Sequence, residues 1–324
     1  MKKQKIRFYA ALLCSSMVFS LVSTPVSAAE TEQLTNPPTS TEELSSPESI
    51  SGNEAASALN GLSVLAANGE AEVTTASELT GALADSSISR ITLKGDIDIG
   101  STLTVNRTVT LDLNGCVLKM TGSDSVIKVE ADGDLTIQDR NTTTQHKFNP
   151  HCKYLTWYID MWELDNGGSE IVSGGVITGG GGDQSNGGGV LVAGGTLVMA
   201  GGSIVGCSAM SRGGGVCNNG TFIMSDGMIK GCTSPDGQYA SGGGVRNSNQ
   251  FTMTGGMIGD PDNENDASHV YNTSSQETTL TISGNAKIYT DITNVGILNA
   301  DGGEIAGTMT NDTNRYGNRV GGGD

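Results

Sequence analysis

Three stretches of the chain repeat one another: GGGVLVAGGTLVMAGGSIVGC at 187–207, GGGVCNNGTFIMSDGMIKGC at 213–232 and GGGVRNSNQFTMTGGMIG at 242–259. The equivalent residues Met199, Met224 and Met253 lie 25 and 29 positions apart. A period in the twenties is the signature of a solenoid, in which each unit buries its apolar face only against its neighbours. Every unit holds two or three strand-like runs of 3–5 residues between Gly turns, with no helix between them, and the Leu-x-x-Leu-x-Leu pattern of leucine-rich repeats is missing. The pattern predicts an all-β parallel β-helix. Weaker copies flank the three units: EIVSGGVITGG at 170–180, TLTISGNAKI at 279–288 and LNADGGEI at 298–305.

Alternation along a strand assigns the faces. In Thr221-Phe222-Ile223-Met224 it turns Phe222 and Met224 inward. Three inward columns are then expected: Leu197, Phe222, Phe251, Leu280; Met199, Met224, Met253, Ile282; and Ile177, Ile204, Ile229, Ile258, Ile288, Ile305. The Met stripe reads as core rather than as a soft ligand surface. Gly201-Gly202 and Gly255-Gly256 fall at corners, where positive φ is useful. One coil buries about four large apolar side chains at roughly 1.5–3 kcal/mol each. Ordering its ~25 residues costs about 1–2 kcal/mol each. A lone coil therefore does not stand, and stacking must supply the difference.

Shorter strand runs precede the repeats: RITLK at 90–94, TLTV at 102–105, TVTLDL at 108–113, VLK at 117–119, VIKV at 126–129 and LTI at 135–137. Thr75-x-x-Glu78 is a capping-box pattern, and Leu79, Ala82 and Leu83 recur at helical spacing. One short helix ahead of strands alone reads as an N-terminal cap on the first coil, with order beginning near Thr75.

The N-terminus reads as an address. Lys2, Lys3, Lys5 and Arg7 precede an apolar run from Phe8 to about Val22, and Val26-Ser27-Ala28 offers a cleavage site before Ala29. This is the three-part secretory signal, over 1–28. The alternative, a membrane anchor, fits the short, Ser-interrupted run less well, and Cys14 goes with the removed segment. Residues 29–72 are rich in Glu, Ser, Thr and Pro without aromatics, which predicts a disordered acidic linker. A partner-recognition segment is the sharper alternative, without a motif to carry it. The β-helix is expected over 73–310, interrupted by 146–168, with a flexible tail over 311–324.

Charge narrows the partners. The chain has 18 Lys plus Arg against 35 Asp plus Glu, net −17. Loss of the four basic residues of the leader takes this to 14 − 35 = −21. A nucleic-acid binder needs a basic footprint, so that class is excluded. The 47 Gly show no Gly-X-Y period, which excludes collagen. No apolar run after the leader approaches the ~20 residues of a membrane span. A secreted or extracellular location, with possible cell-surface association, is expected.

The units GGGVCNNGTFIMSDGMIKGC and GGGVLVAGGTLVMAGGSIVGC, with TVTLDLNGCVLKMTG at 108–122 and DLTIQD at 134–139, resemble right-handed β-helix proteins of the pectin-lyase-like superfamily. Over about 75–310 they are most similar to adhesin-like surface proteins of Gram-positive bacteria. The resemblance implies a right-handed coil and a surface or secreted protein that binds or processes polysaccharide. It also implies that Asn is common at the corner holding Cys207 and Cys232. The partner expected is a polysaccharide or a host or cell-surface ligand, with no cofactor. The alternative function is a polysaccharide lyase or glycoside hydrolase. Lyases of this kind use carboxylates holding Ca²⁺ and an Arg or Lys base. Here the basic residues are scattered, Arg212 and Arg246 flank GGGV units on opposite sides, and no Asp-Asp pair or Gly-His-Gly segment is found.

Candidate site residues are few. The segment 146–168 holds Tyr154, Trp157, Tyr158 and Trp162. These rings form either a sugar-stacking platform or a hairpin flap packed on the coil beneath, with Asn166-Gly167 closing a turn. Asp260, Asp262, Glu264 and Asp266 alternate in GDPDNENDAS. Hard oxygen ligands at that spacing could take Ca²⁺, but the Gly and terminal Glu of an EF-hand loop are absent, and a solvated acidic loop is the plainer reading. His146, His151 and Cys152 could supply three zinc ligands, without further support; His269 has no motif. Five Cys follow the leader, at 116, 152, 207, 217 and 232, an odd count that excludes complete internal pairing. Cys207 and Cys232 occupy one repeat position. Strand spacing exceeds the ~3.8 Å Cβ separation of a disulfide, so stacked thiols are expected.

Overall fold

The computed structural model describes residues 69–150, 162–181, 186–234, 242–263, 266–273 and 277–311. The leader, nearly all of the linker and residues 312–324 lie outside them. The described chain is all-β apart from the helix Ala76–Ala84. It returns again and again to two sheets whose strands pair in parallel.

The larger sheet stacks Glu70–Val73, Arg90–Leu93, Thr108–Asp112, Asp134–Gln138, Thr196–Val205, Thr221–Lys230, Gln250–Met253, Thr279–Ile288 and Ile297–Ile305. The second sheet stacks Leu103–Val105, Ile127–Val129, Val190–Val192, Val216–Asn218, Val245–Asn247, Val270–Asn272, Ile292–Asn294 and Met309–Asn311. A further line within the larger sheet starts with Ile97–Ile99, Val117–Met120 and Val176–Thr178. It runs on through the second halves of the ten-residue strands. Those strands bend where Gly201 and Gly202 sit at φ +158° and +74°. Gly202 is thus in the left-handed region, whereas Gly201 is nearly extended.

The columns follow the register. Met199 pairs with Met224, Met224 with Met253 and Met253 with Ile282, all buried. Leu197, Phe222, Phe251 and Leu280 stack in the same order, and the rings of Phe222 and Phe251 lie parallel with centroids 4.5 Å apart. The Ile column runs from Ile177 to Ile305 and extends backwards through Leu118 to Ile97. Because like sits on like, each strand covers the apolar side chains its parallel neighbour could not hide alone.

The helix begins as its sequence requires. Thr75 accepts the Glu78 backbone N–H on its side chain, and Glu78 accepts the Thr75 N–H in return. Those N–H bonds hold the Glu78 carboxyl below its ordinary value, the Thr74 backbone N–H foremost. Leu79, Ala82 and Leu83 turn into the common core. At the other end Arg107 donates to the carbonyls of Ala82, Leu83 and Ile88, satisfying acceptors that a helix C-terminus leaves open.

Two expectations need correction. Glu70–Val73 is a strand paired in parallel with Arg90–Leu93, so the end of the stretch read as linker belongs to the fold. Its short alternation, Ala71 and Val73 inward, was hidden by the acidic context. The copy at 170–180 is split. Glu170–Ser173 pairs antiparallel with Gln145–Asn149, as does Glu163–Leu164, in a small separate sheet, and only Val176–Thr178 joins the coil. An unanticipated column of Asn stands at the ends of the second-sheet strands. There Asn218, Asn247, Asn272, Asn294 and Asn311 pass amide hydrogen bonds of 2.7–3.0 Å from one to the next.

The thiols are as expected: Cys116, Cys207, Cys217 and Cys232 are all free. Burial, and the adjacent Cys207, push the Cys232 thiol well up.

Candidate binding face

Of the four aromatic candidates, Tyr154, Trp157 and Tyr158 lie outside the described residues. Trp162 is 1 % exposed. Its backbone N–H donates to Gly231 O at 3.2 Å, and its ring packs with Phe148, Val172, Val176 and Val205 in a second small core. The Lys230 ammonium lies 4.2 Å from the ring centroid and 3.3 Å from the Asp260 carboxylate, which is also buried. Gly231, at φ +60°, makes the approach possible: a Cβ there would stand 2.2 Å from the ring. Trp162 is therefore a fastening between the small antiparallel sheet and the coil, and its faces are not offered to a sugar. The turn at Asn166-Gly167 is present, with Gly168 N–H donating to Asp165 O at 2.8 Å.

The acidic loop is not a solvated run of carboxylates. Asp260 is engaged by Lys230. Asp266 is buried and accepts the N–H groups of Gly231 and Ser268. Asp262 is exposed, and Glu264 lies outside the described residues. Two carboxylates on different partners do not converge on a cation. Among the described residues no group of three or more His, Cys, Asp or Glu side chains could hold a metal ion. His151 and Cys152 are outside the described residues, and His146 Nε2 sits 3.0 Å from Gly115 O.

The carboxylates of Asp112 and Asp139 are both taken up by structural bonds. Asp139 accepts Gly115 N–H and Gly175 N–H, each at 2.7 Å. Asp112 is paired with Arg140 and also accepts the Asn114 N–H.

The surface that gathers unspent charge is the outer side of the second sheet. Register sets Lys128, Leu191, Cys217, Arg246, Tyr271 and Thr293 in one outward column. Arg246 is half-buried and donates to Ser248 Oγ at 3.0 Å. Burial, then the charge of Arg212, hold its guanidinium below the usual range. Arginine starts so high that it stays charged. Arg212, exposed, precedes Gly213 and bridges to Asn186 in a different column. The two arginines thus do not stack, as their opposite flanks required, but the charge of Arg212 still acts on Arg246. Among the described residues neither has a carboxylate partner, in contrast to Arg90, Lys94, Lys128, Arg140 and Lys230. Burial pushes the Cys217 thiol up, against the pull of both arginines, which leaves it a neutral floor. Tyr271 lies one strand away, ~4.8 Å along the stack.

Two cations and a phenol ring on a flat strand face can hold a carboxylate or sulfate while the ring packs on a sugar. Sequence reasoning missed the constellation because only long side chains bring the two columns together. The usable signal was Arg immediately before one GGGV and directly after the next.

No helix among the described residues is long and apolar enough to cross a membrane. Residues 70–173 match a family model described as a putative pectate lyase-like adhesive domain. The match runs from the start of the first strand to the last strand of the small antiparallel sheet. No curated protein and no solved structure matches the chain.

Proposed function

We propose that residues 69–311 form a right-handed parallel β-helix closed at its start by the helix Ala76–Ala84. On this reading the chain is a secreted, adhesin-like module that holds an acidic polysaccharide against the face carrying Arg212, Arg246 and Tyr271. The observation that carries it is a pair of guanidiniums with no carboxylate partner among the described residues, on a chain of net charge −17. In so acidic a protein two neighbouring basic groups with no carboxylate partner among the described residues form a place that attracts an anion. The match over 70–173 to an adhesive domain supports the adhesive role, and the basic, apolar, small-residue order of the first 28 residues supports export.

The test is affinity electrophoresis of the protein through gels containing polygalacturonate. Retardation is expected for the native chain, weakening as salt rises. Arg212→Ala with Arg246→Ala removes charge-assisted bonds worth about 1.5–3 kcal/mol each, so binding should fall at least ~10-fold. Unchanged retardation refutes the site. A lyase is the second reading, favoured by the words "pectate lyase-like" in the matched description. Release of unsaturated sugars from polygalacturonate, abolished by Arg246→Ala, would establish it.

A further inference from the structure

The outer face of the larger sheet is rich in threonine. Two outward columns run side by side across its six central strands. Thr108, Asp134, Thr196, Thr221, Gln250 and Thr279 make one. Thr110, Thr136, Val198, Ile223, Thr252 and Thr281 make the other. Eight of these twelve positions are threonine and one, Asp134, is charged.

Inward neighbours on the same strands are fully buried, so these side chains stand outward, exposed or half-exposed. The Thr108 hydroxyl donates to Asp134 and that of Thr279 to Glu277 O. Among the described residues the other six threonine hydroxyls have no hydrogen-bond partner. The small antiparallel sheet does not cover them, because its core closes over Val176 and Val205 on a different line of strands.

Strand geometry fixes the spacing of the array. Rows repeat every ~4.8 Å across the strands, and the columns stand two residues apart, ~6.7 Å. Each threonine presents a methyl group and a hydroxyl able both to donate and to accept. A regularly spaced field of hydroxyls that carries a single charge, Asp134, on a protein of net charge −17 has little attraction for ions. It suits a surface that is flat, neutral, hydroxylated and repeating.

We infer that this face is a second binding surface, which adsorbs the protein onto a packed, neutral polysaccharide such as an insoluble β-linked glucan. Multiple weak contacts act together here. A single soluble oligosaccharide touches few of them and is held poorly, whereas a lattice engages many rows at once. The inference does not depend on the anion reading of the other face.

The test is depletion of the full-length protein from solution by microcrystalline cellulose. Native protein should partition onto the solid, resist elution by salt, and not be displaced by soluble cello-oligosaccharide. Thr221→Lys with Thr281→Lys places two ammonium groups on the face, one in each column and two strands apart. Desolvating them against a neutral solid is costly, and the partition coefficient should fall at least ~10-fold. Thr221→Val with Thr281→Val keeps shape while removing hydroxyls, and should give an intermediate loss if the fold is intact. Both variants should keep their retardation by polygalacturonate, and Arg212→Ala with Arg246→Ala should keep cellulose binding, so failure of either site is read separately. Equal partition of native and Lys variants overturns the inference, as does absence of partition by the native protein. Thermal hysteresis in freezing water without cellulose binding would also overturn it, reassigning the array to ice.

Discussion

Asp260→Asn removes the counter-charge of an ammonium that has nowhere else to go. Lys230 is 7 % exposed and Asp260 6 %, and the charges face each other at 3.3 Å beneath the Trp162 ring. Breaking a buried pair by deleting one partner costs about 3–5 kcal/mol, since the survivor remains desolvated. The ring offsets part of this, because a desolvated cation over an aromatic face gains up to ~2 kcal/mol. Asn also keeps the acceptor for the Asp262 N–H. A net loss of about 2–4 kcal/mol is expected. Lys230→Met in the same chain removes the stranded charge, and the double variant should return to within ~1 kcal/mol of native. Stacked units need not unfold together, so the readout should be local. Trp157 and Trp162 are the only two tryptophans, and Trp157→Phe leaves Trp162 as sole emitter for urea titration. A single-variant loss below ~1 kcal/mol, or a double variant no better than the single, would refute the claim that the pair is desolvated.

Gly231→Ala puts a Cβ into the Trp162 ring at a left-handed φ. Overpacking costs about 1–3 kcal/mol, and Trp162 emission should shift to the red in native buffer. Asn247→Ala strips the acceptor from Asn218 and the donor from Asn272 and Thr279 O. At roughly 1–3 kcal/mol per buried orphan, hydrogen exchange should accelerate in the strands either side. Burial raises the Asp266 carboxyl above 3.8, against the N–H groups that favour its charge. The folded chain then keeps this proton to higher pH than the unfolded one. Its stabilising contribution is full below 3.8 and is lost as pH rises through the raised value. Urea midpoints should therefore fall with pH across that window, and Asp266→Asn should flatten the slope.

The coils were legible because their physics is local and repeated. A Phe222 that must turn inward does so in each unit, and the period then predicts its neighbour above. What escaped had either no repeat or no neighbour in sequence. The strand Glu70–Val73 is four residues long with two acids outward, and resembles linker until its partner is known. Trp162 was readable either as a sugar platform or as part of a packed flap, because an aromatic in an insertion carries no phase. Its burial depends on Gly231 and Lys230, nearly seventy residues later. Asp260 and Asp266 read as solvated for the same reason. The Arg212–Arg246 pair needed side-chain reach across columns, and the threonine field was overlooked because attention went to the inward half of each alternation.

The spacing of 25 residues in one turn and 29 in the next leaves the columns undisturbed. From Ser208 to Gly213 the chain takes five steps, and from their stacked counterparts Thr233 to Gly242 it takes nine. The surplus of four residues falls between Thr233 and Gly242, while Val216 still meets Val245 and Ile229 still meets Ile258. A foreign peptide of modest length spliced between Thr233 and Gly242 should therefore leave the pairings on either side, Val216 with Val245 and Ile229 with Ile258, in register.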